Sequence, residues 1–173
     1  MRSQFGFIRT ENSGPEDVIP CQHMPGYLVA DDILRMATYF RLSPRDFAEQ
    51  FLLASSGTVV ESQGEKFYLP TLVPKRGENG HCIFLNNKDL CEIHNVSPYG
   101  CAFFDSQMSD EEFSKRRAAG AADLWRIWIE GCDIGQLYVD IWWKLNEKGM
   151  IALSPKVTRP AYEAALAALR NPV

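Results

Sequence analysis

Apolar residues recur along this chain with two distinct periods. Between residues 29 and 40, Ile33, Met36, Ala37 and Phe40 fall three and four apart, the spacing that puts them on one face of an α-helix. The stretch "RLSPRDFAEQFLL" then restarts a helix, with Ser43 as N-cap, Pro44 at the first helical position, Asp46 in the first turn, and Phe47 and Phe51 sharing a face. These two helices are expected to pack as a pair. Over residues 58–74 the pattern changes to β-branched and aromatic runs, "GTVVES" and "KFYLPTLVP", joined by the polar turn "QGE", which reads as a short hairpin. Pro70 and Pro74 confine its second strand to a sheet edge or end it. Beyond it, "CIFL" at residues 82–85 is expected to form one more short strand.

The C-terminal third carries the helical period. Ser109 with Glu112 makes a capping box, and Asp110, Glu111 and Glu112 suit the positive end of a helix dipole. Gly131 and Gly135 are expected to bend or divide this long segment, Ile134, Tyr138, Ile141 and Leu145 to form its inward face, and Gly149 to mark its end. A last helix is expected in "TRPAYEAALAALR", with Thr158 or Arg159 at its cap and Pro160 in its first turn. Residues 1–20 read as an extended arm, broken by Gly14-Pro15. The whole, residues 1–173, is expected to be one α+β domain, mostly helical.

With 173 residues, of which 46% are hydrophobic, the chain can build a core without help from a metal or a disulfide. The formal net charge of −4 is spread along the sequence. No basic stripe is available to displace counterions from phosphates, so a nucleic-acid partner is not expected. The N-terminus lacks the apolar core of a signal peptide, and the most apolar segment is interrupted by Asp123, Arg126, Glu130, Asp133 and Asp140. Neither export nor a membrane span is expected, and the predicted location is cytoplasmic. There thiols stay reduced, and an odd count of five cysteines argues against a disulfide framework and for metal binding.

The stretch "HCIFLNNKDLCEIHNVSPYGCAFF" holds three of those cysteines, Cys82, Cys91 and Cys101; Cys21 stands far ahead of them. Thiolates are costly to bury alone, but four around a cation satisfy one another through the metal. Tetrahedral zinc and a 4Fe-4S cubane both accept such a set. The chain has no C-x(2–4)-C pair of the kind that wraps structural zinc, whereas a wider cubane takes single thiolates from separate loops. The spacing therefore favours 4Fe-4S ahead of zinc. His23, His81 and His94 each lie close in sequence to one of these cysteines and can add or substitute a ligand; otherwise they hydrogen-bond around the site. Cys132, in the amphipathic segment, reads as a small hydrophobe.

No Ser-His-Asp order, phosphate-binding glycine loop or H-E-x-x-H motif occurs, "ADD" and "SDEE" read as helix-start acids, and no catalytic activity of the chain's own is expected. Trp125, Trp128, Trp142 and Trp143 sit at helical spacing beside aliphatics and mostly fill the core. Trp142 and Trp143 are adjacent, however, so one of them is a candidate for a protein-partner surface.

These residues resemble the zinc- or iron-chelating cysteine-cluster proteins, the YkgJ-like or CxxCxxCC family. The segment "LVADDILRMATYFRLSPRDFAEQFL" is similar to the family's helical region, with Ile33, Arg35 and Phe47 at matching positions. Cys82-Ile83-Phe84-Leu85, then Cys91-Glu92-Ile93-His94, then Pro98 and Cys101, follow the order of its C-terminal block. The resemblance covers residues 21–105 and leaves the helical region 106–173 outside. The chain departs from the family in two places: the N-terminal cluster is reduced to Cys21, and Ser97 stands where an arginine usually precedes the proline. The resemblance thus implies a divergent member with a metal-bound loop region packed on helices and one centre ligated by Cys21, Cys82, Cys91 and Cys101. Its expected role is electron transfer, sensing, or service as a subunit of a larger assembly. The alternative is a structural zinc adaptor whose Trp-rich C-terminal helices dock to a partner protein.

Overall fold

The structure, a computed structural model, describes residues 6–9, 25–62, 65–104 and 107–152. Most of the predicted arm, with Cys21 and His23, and the helix expected over residues 158–170 lie outside the described residues. The fold is α+β and mostly helical, as the periodicity predicts.

The first two helices, α1 (Ala30–Phe40) and α2 (Pro44–Phe51), form where the apolar period puts them. In α1, Ile33, Met36 and Ala37 are buried, and the helix ends at Arg41, which takes a left-handed φ of 56°. Ser43 caps α2 by accepting the Asp46 N–H at 3.2 Å. The ring of Phe40 stacks on Phe51 with centroids 4.8 Å apart and on Phe47 at 5.6 Å, so aromatic packing joins the pair.

Leu52 and Leu53, which the helical period would include in α2, instead begin β1 (Leu52–Ser62), paired antiparallel with β2 (Glu65–Pro74). Tertiary pairing overrides the local period here. Leu52 lies opposite Pro74, the Lys75 N–H reaches Phe51 O at 2.8 Å, and Leu52 and Ala54 alternate into the core. The register slips between Ser55 and Thr58. At the slip Gly57 has φ +84°, and a Cβ there would lie 1.6 Å from Leu69 O, so only glycine fits this bulge. Pro70, which has no N–H to offer the ladder, faces the bulge on β2, an edge strand in the sheet order β2-β1-β3. The third strand, β3 (Ile151–Ala152), pairs parallel with β1; at this length it leaves no sequence pattern.

The expected strand at residues 82–85 is absent. Only the isolated bridges Arg76–Cys82 and Leu85–Cys91 occur there, because the Leu85 N–H turns back to Cys82 O at 3.0 Å. A 3₁₀ turn (His94–Val96) and the short α3 (Tyr99–Ala102) follow.

The long C-terminal segment is divided as its glycines predict. α4 (Asp110–Trp125) starts at the Ser109 cap, passes into a π-helical turn (Arg126–Glu130), and stops at Gly131 with φ +71°; α5 (Asp133–Glu147) follows. Tyr138, Ile141 and Leu145 are buried in α5, but Ile134 is 48% exposed. In that first turn it is Gly135 that meets the core, its absent Cβ lying 3.3 Å from Ile127 Cα. Trp142 is fully buried and donates to Ser55 O at 3.1 Å, and Trp128 donates to Pro70 O at 2.8 Å. Trp143, its neighbour, is half-buried and packs edge-on against Trp142 at 5.0 Å. The indoles therefore lock α5 to the hairpin.

Tyr138 completes this junction. Its hydroxyl accepts the Leu72 N–H at 2.7 Å and donates to Leu28 O at 2.9 Å, tying α5 to β2 and to the segment entering α1. On the outside, Glu49 of α2 accepts from Lys144 of α5 and from Lys148, its C-cap, each at 2.7 Å. No helix among the described residues is long and apolar enough to cross a membrane.

Two outcomes are expected. Tyr138→Phe strips a buried N–H and a buried C=O of their partner and should lower the urea-unfolding free energy by about 2 kcal/mol; an unchanged midpoint would contradict the bridge. Hydrogen bonds from Lys144 and Lys148 pull the Glu49 carboxyl down to about 2. Its contribution is complete above the unfolded-state value of about 4.3 and is lost as pH falls through the folded one. Glu49→Gln should therefore be less stable than the parent at pH 6, with the gap closing toward pH 2; a pH-independent gap would refute the ion cluster.

Candidate metal centre

The chain between β2 and α4 carries little regular structure, and side-chain plugs hold it in place. Phe84 is buried and packs its ring on Phe51 at 5.5 Å and Phe40 at 5.7 Å. Ile93 is a second plug. Between them Asn86 Oδ1 accepts the N–H groups of Lys88 and Leu90 at 2.9 and 3.1 Å, and Asp89 adopts a left-handed φ of 55°. This side-chain-closed turn folds the chain back so that Cys91 lies opposite Leu85. Cys82 is thereby fixed at the inner end of the loop, where it is buried in the main core, and Cys91 is half-buried on the returning limb.

Cys101 arrives on α3. A close backbone crossing holds it, with the Gly100 N–H donating to Tyr27 O at 2.9 Å. A Cβ on Gly26 would stand 2.2 Å from the Gly100 carbonyl carbon, so the crossing requires glycine. At the same point the Gly26 N–H donates to Cys101 Sγ at 3.2 Å.

Asp32 positions this corner. Its carboxylate is 1% exposed, and Oδ2 accepts the Val29 N–H at 2.9 Å and the Tyr99 N–H at 2.8 Å, while Oδ1 accepts from Arg35. One side chain thus caps α1 and also holds the first residue of α3, two positions before Cys101. Burial pushes the Asp32 carboxyl up, against the pull of Arg35 and the two backbone donors. Arg35 also donates to Ser97 O at 3.0 Å. Asp123 of α4, likewise buried, accepts the Ala30 N–H at 3.4 Å, so a second carboxylate serves the positive end of α1.

Arg9 comes to the same turn from the N-terminal side. Its Nη1 donates to Ser97 Oγ at 2.7 Å and to His94 O at 2.8 Å, and its guanidinium lies 5.4 Å from the centroid of Phe103. Burial and then Arg35 lower its pKa, while Asp32, Cys101 and Cys91 act in the opposite sense.

Of the predicted site residues, Cys82 and Cys91 lie on the loop after β2 and Cys101 on α3, and no disulfide links them to one another or to Cys132. His94 lies in the 3₁₀ turn between Cys91 and Cys101, and its carbonyl serves Arg9; His81 precedes Cys82, and its backbone N–H donates to Asn79 Oδ1 at 3.0 Å. Cys21 and His23 lie outside the described residues. Among the described residues, no group of three or more His, Cys, Asp or Glu side chains could by itself hold a metal ion. Cys132 accepts the Gly135 N–H at 3.2 Å as the cap of α5.

Sequence reasoning passed over Asp32 and Arg9. Asp32 reads as a helix-start acid, although the period that buries Ile33 and Met36 also turns it inward. Arg9 carries no local signal, since its partners are more than eighty positions away. No family model, curated protein or solved structure matches this chain.

Asp32→Asn keeps the size of the side chain but leaves Arg35 without its anion and sets an amide NH2 among the donors that Asp32 accepts. It should cost about 3 kcal/mol in urea unfolding; a loss under about 1 kcal/mol would show that Asp32 is not the tether.

Proposed function

We propose that the chain is a metal-binding protein, a divergent member of the cysteine-cluster family, with one centre ligated by Cys21, Cys82, Cys91 and Cys101. The metal we assign is a 4Fe-4S cluster serving electron transfer, sensing, or a larger assembly in which a protein partner takes part. One observation carries the reading: Cys82, Cys91 and Cys101 lie on one loop and the short helix that ends it, and Cys101 Sγ accepts the Gly26 N–H at 3.2 Å. A backbone N–H on sulfur favours the thiolate, the form that ligates. Such a bond also stabilises a thiolate-bound cluster.

Four thiolates are the donor set that a cubane takes, although Cys82, Cys91 and Cys101 do not by themselves form a group that could hold an ion. Cys82 is buried among apolar side chains, Phe84 and Phe103 are buried beside the loop, and such walls exclude water and tune potential. A cubane on these thiolates would supply one-electron chemistry with little change of geometry. His94, His81 or His23 would substitute only if one thiolate failed to ligate. Zinc at the same four sulfurs would be closed to substrate and structural. A cytoplasmic setting, where thiols remain reduced, suits either metal.

Anaerobically purified protein should be brown, bleach with dithionite and contain about four iron and four sulfide per chain. Serine in place of Cys21, Cys82, Cys91 or Cys101 should remove most of the metal, whereas Cys132→Ser should keep it. One zinc without sulfide would move the assignment to the structural site. A folded protein without metal, or metal retained by all four serine variants, would overturn the proposal.

A further inference from the structure

We infer that Asn79 is a site of spontaneous deamidation: the Gly80 nitrogen attacks its side-chain amide, and the isoaspartate that results loosens the turn that sets Cys82 in place. Neither metal nor thiolate takes part, so this inference and the metal-centre reading stand or fall separately.

The chain leaves β2 through a narrow turn. The Gly77 N–H donates to His81 O at 2.8 Å and the Gly80 N–H to Gly77 O at 2.9 Å, while Arg76 and Cys82 form an isolated bridge. The Ile83 N–H then reaches Lys75 O at 2.9 Å. Cys82, buried in the core, follows directly on the pair that closes the turn.

Asn79 is the one asparagine in the sequence followed by glycine. With no Cβ beside it, a glycine nitrogen is unshielded. The surroundings are open as well: Gly80 has φ +80°, a Cβ there would meet no atom within 4 Å, and Asn79 itself is exposed. The electrophile is already polarised. Asn79 Oδ1 accepts the His81 N–H at 3.0 Å, and a donor on that oxygen stabilises the negative charge that attack on Cγ creates. On the other side, Arg76 Nη1 donates to Gly80 O at 3.2 Å, so a cation stands beside the nitrogen that must give up its proton. The Gly80 to Gly77 bond is the brake, one bond at a loop tip where Glu78 and Asn79 face solvent. Asn86 supplies the contrast. Its Oδ1 also accepts backbone N–H groups, from Lys88 and Leu90, but the next nitrogen belongs to Asn87, which carries a side chain.

In the first step the Gly80 nitrogen bonds to Asn79 Cγ, and the side-chain nitrogen leaves as ammonia, taking up the proton that the Gly80 amide gives up. One water then opens the cyclic imide. Breaking the new bond at Cγ gives aspartate, which keeps the backbone and an oxygen for the His81 N–H. Breaking the main-chain bond instead gives isoaspartate, in which the backbone runs through the side-chain carbon and is one atom longer. That extra atom pulls Gly77 out of register with Gly80 and His81.

The test ages full-length wild type and Asn79→Gln in neutral buffer at body temperature, maps their peptides by mass and by isoaspartyl methylation, and follows backbone hydrogen exchange. Asn79 should convert first, while Asn86 and Asn146 keep their amides. Exchange over residues 77–83 should become about tenfold faster in the isoaspartyl fraction and stay unchanged in Asn79→Gln. Gly80→Ala, which shields the nitrogen, should convert severalfold more slowly. Retention of the Asn79 amide, or earlier conversion of another asparagine, would overturn the inference. So would unchanged exchange after conversion, equal loosening in aged Asn79→Gln, or an undiminished rate in Gly80→Ala. The same readouts serve protein with or without metal.

Discussion

The buried carboxylate of Asp32 is the constraint on which the cysteine-bearing half of the molecule depends. A carboxylate in an apolar core is tolerable only when its lone pairs are filled and its charge is met. Asp32 meets that demand with partners from two distant stretches of chain: the Val29 N–H and Arg35 from α1, and the Tyr99 N–H from α3. The electrostatic need of one side chain thereby fixes the distance between the first helix and the helix that carries Cys101. Arg35 and Arg9 extend the arrangement to Ser97, so the turn between Cys91 and Cys101 is bound through its backbone oxygens rather than by regular structure.

The loop from β2 to α3 follows a different logic. It makes no sheet, and its order comes from two apolar plugs, Phe84 and Ile93, and from a polar turn closed on Asn86. Plugs fix where Cys82 and Cys91 sit without imposing a ladder, which leaves the intervening backbone free to present sulfur from separate directions. A site of single thiolates on separate loops calls for that freedom more than a C-x-x-C turn does. The helical C-terminal region acts as the platform. Its indoles lock to the hairpin, and Tyr138 joins sheet, entry segment and α5 through one hydroxyl.

Much of this fold was legible in the sequence wherever a single element decided its own fate. The faces of α1 and α2, the Ser43 and Ser109 caps, and the division at Gly131 follow from period, capping and backbone freedom. Where two distant stretches decide together, the sequence was silent or misleading. Leu52 and Leu53 continue a helical pattern yet pair with Val73 and Pro74; "CIFL" has strand composition yet turns at Leu85; β3 has only two residues and exists through β1. The candidate site divides in the same way. The cysteines announced themselves by residue type, whereas Arg9 and Asp32, which hold the turn and the short helix around Cys101, owe their roles to contacts across the chain.

The central claim is that sulfur alone surrounds one metal centre in this protein. X-ray absorption at the metal edge of the anaerobically purified chain tests it most directly. The account predicts a first shell of sulfur near about 2.3 Å, with a short metal–metal vector as well if the centre is a cubane. A first shell dominated by nitrogen or oxygen, or too little metal to give an edge, would contradict it.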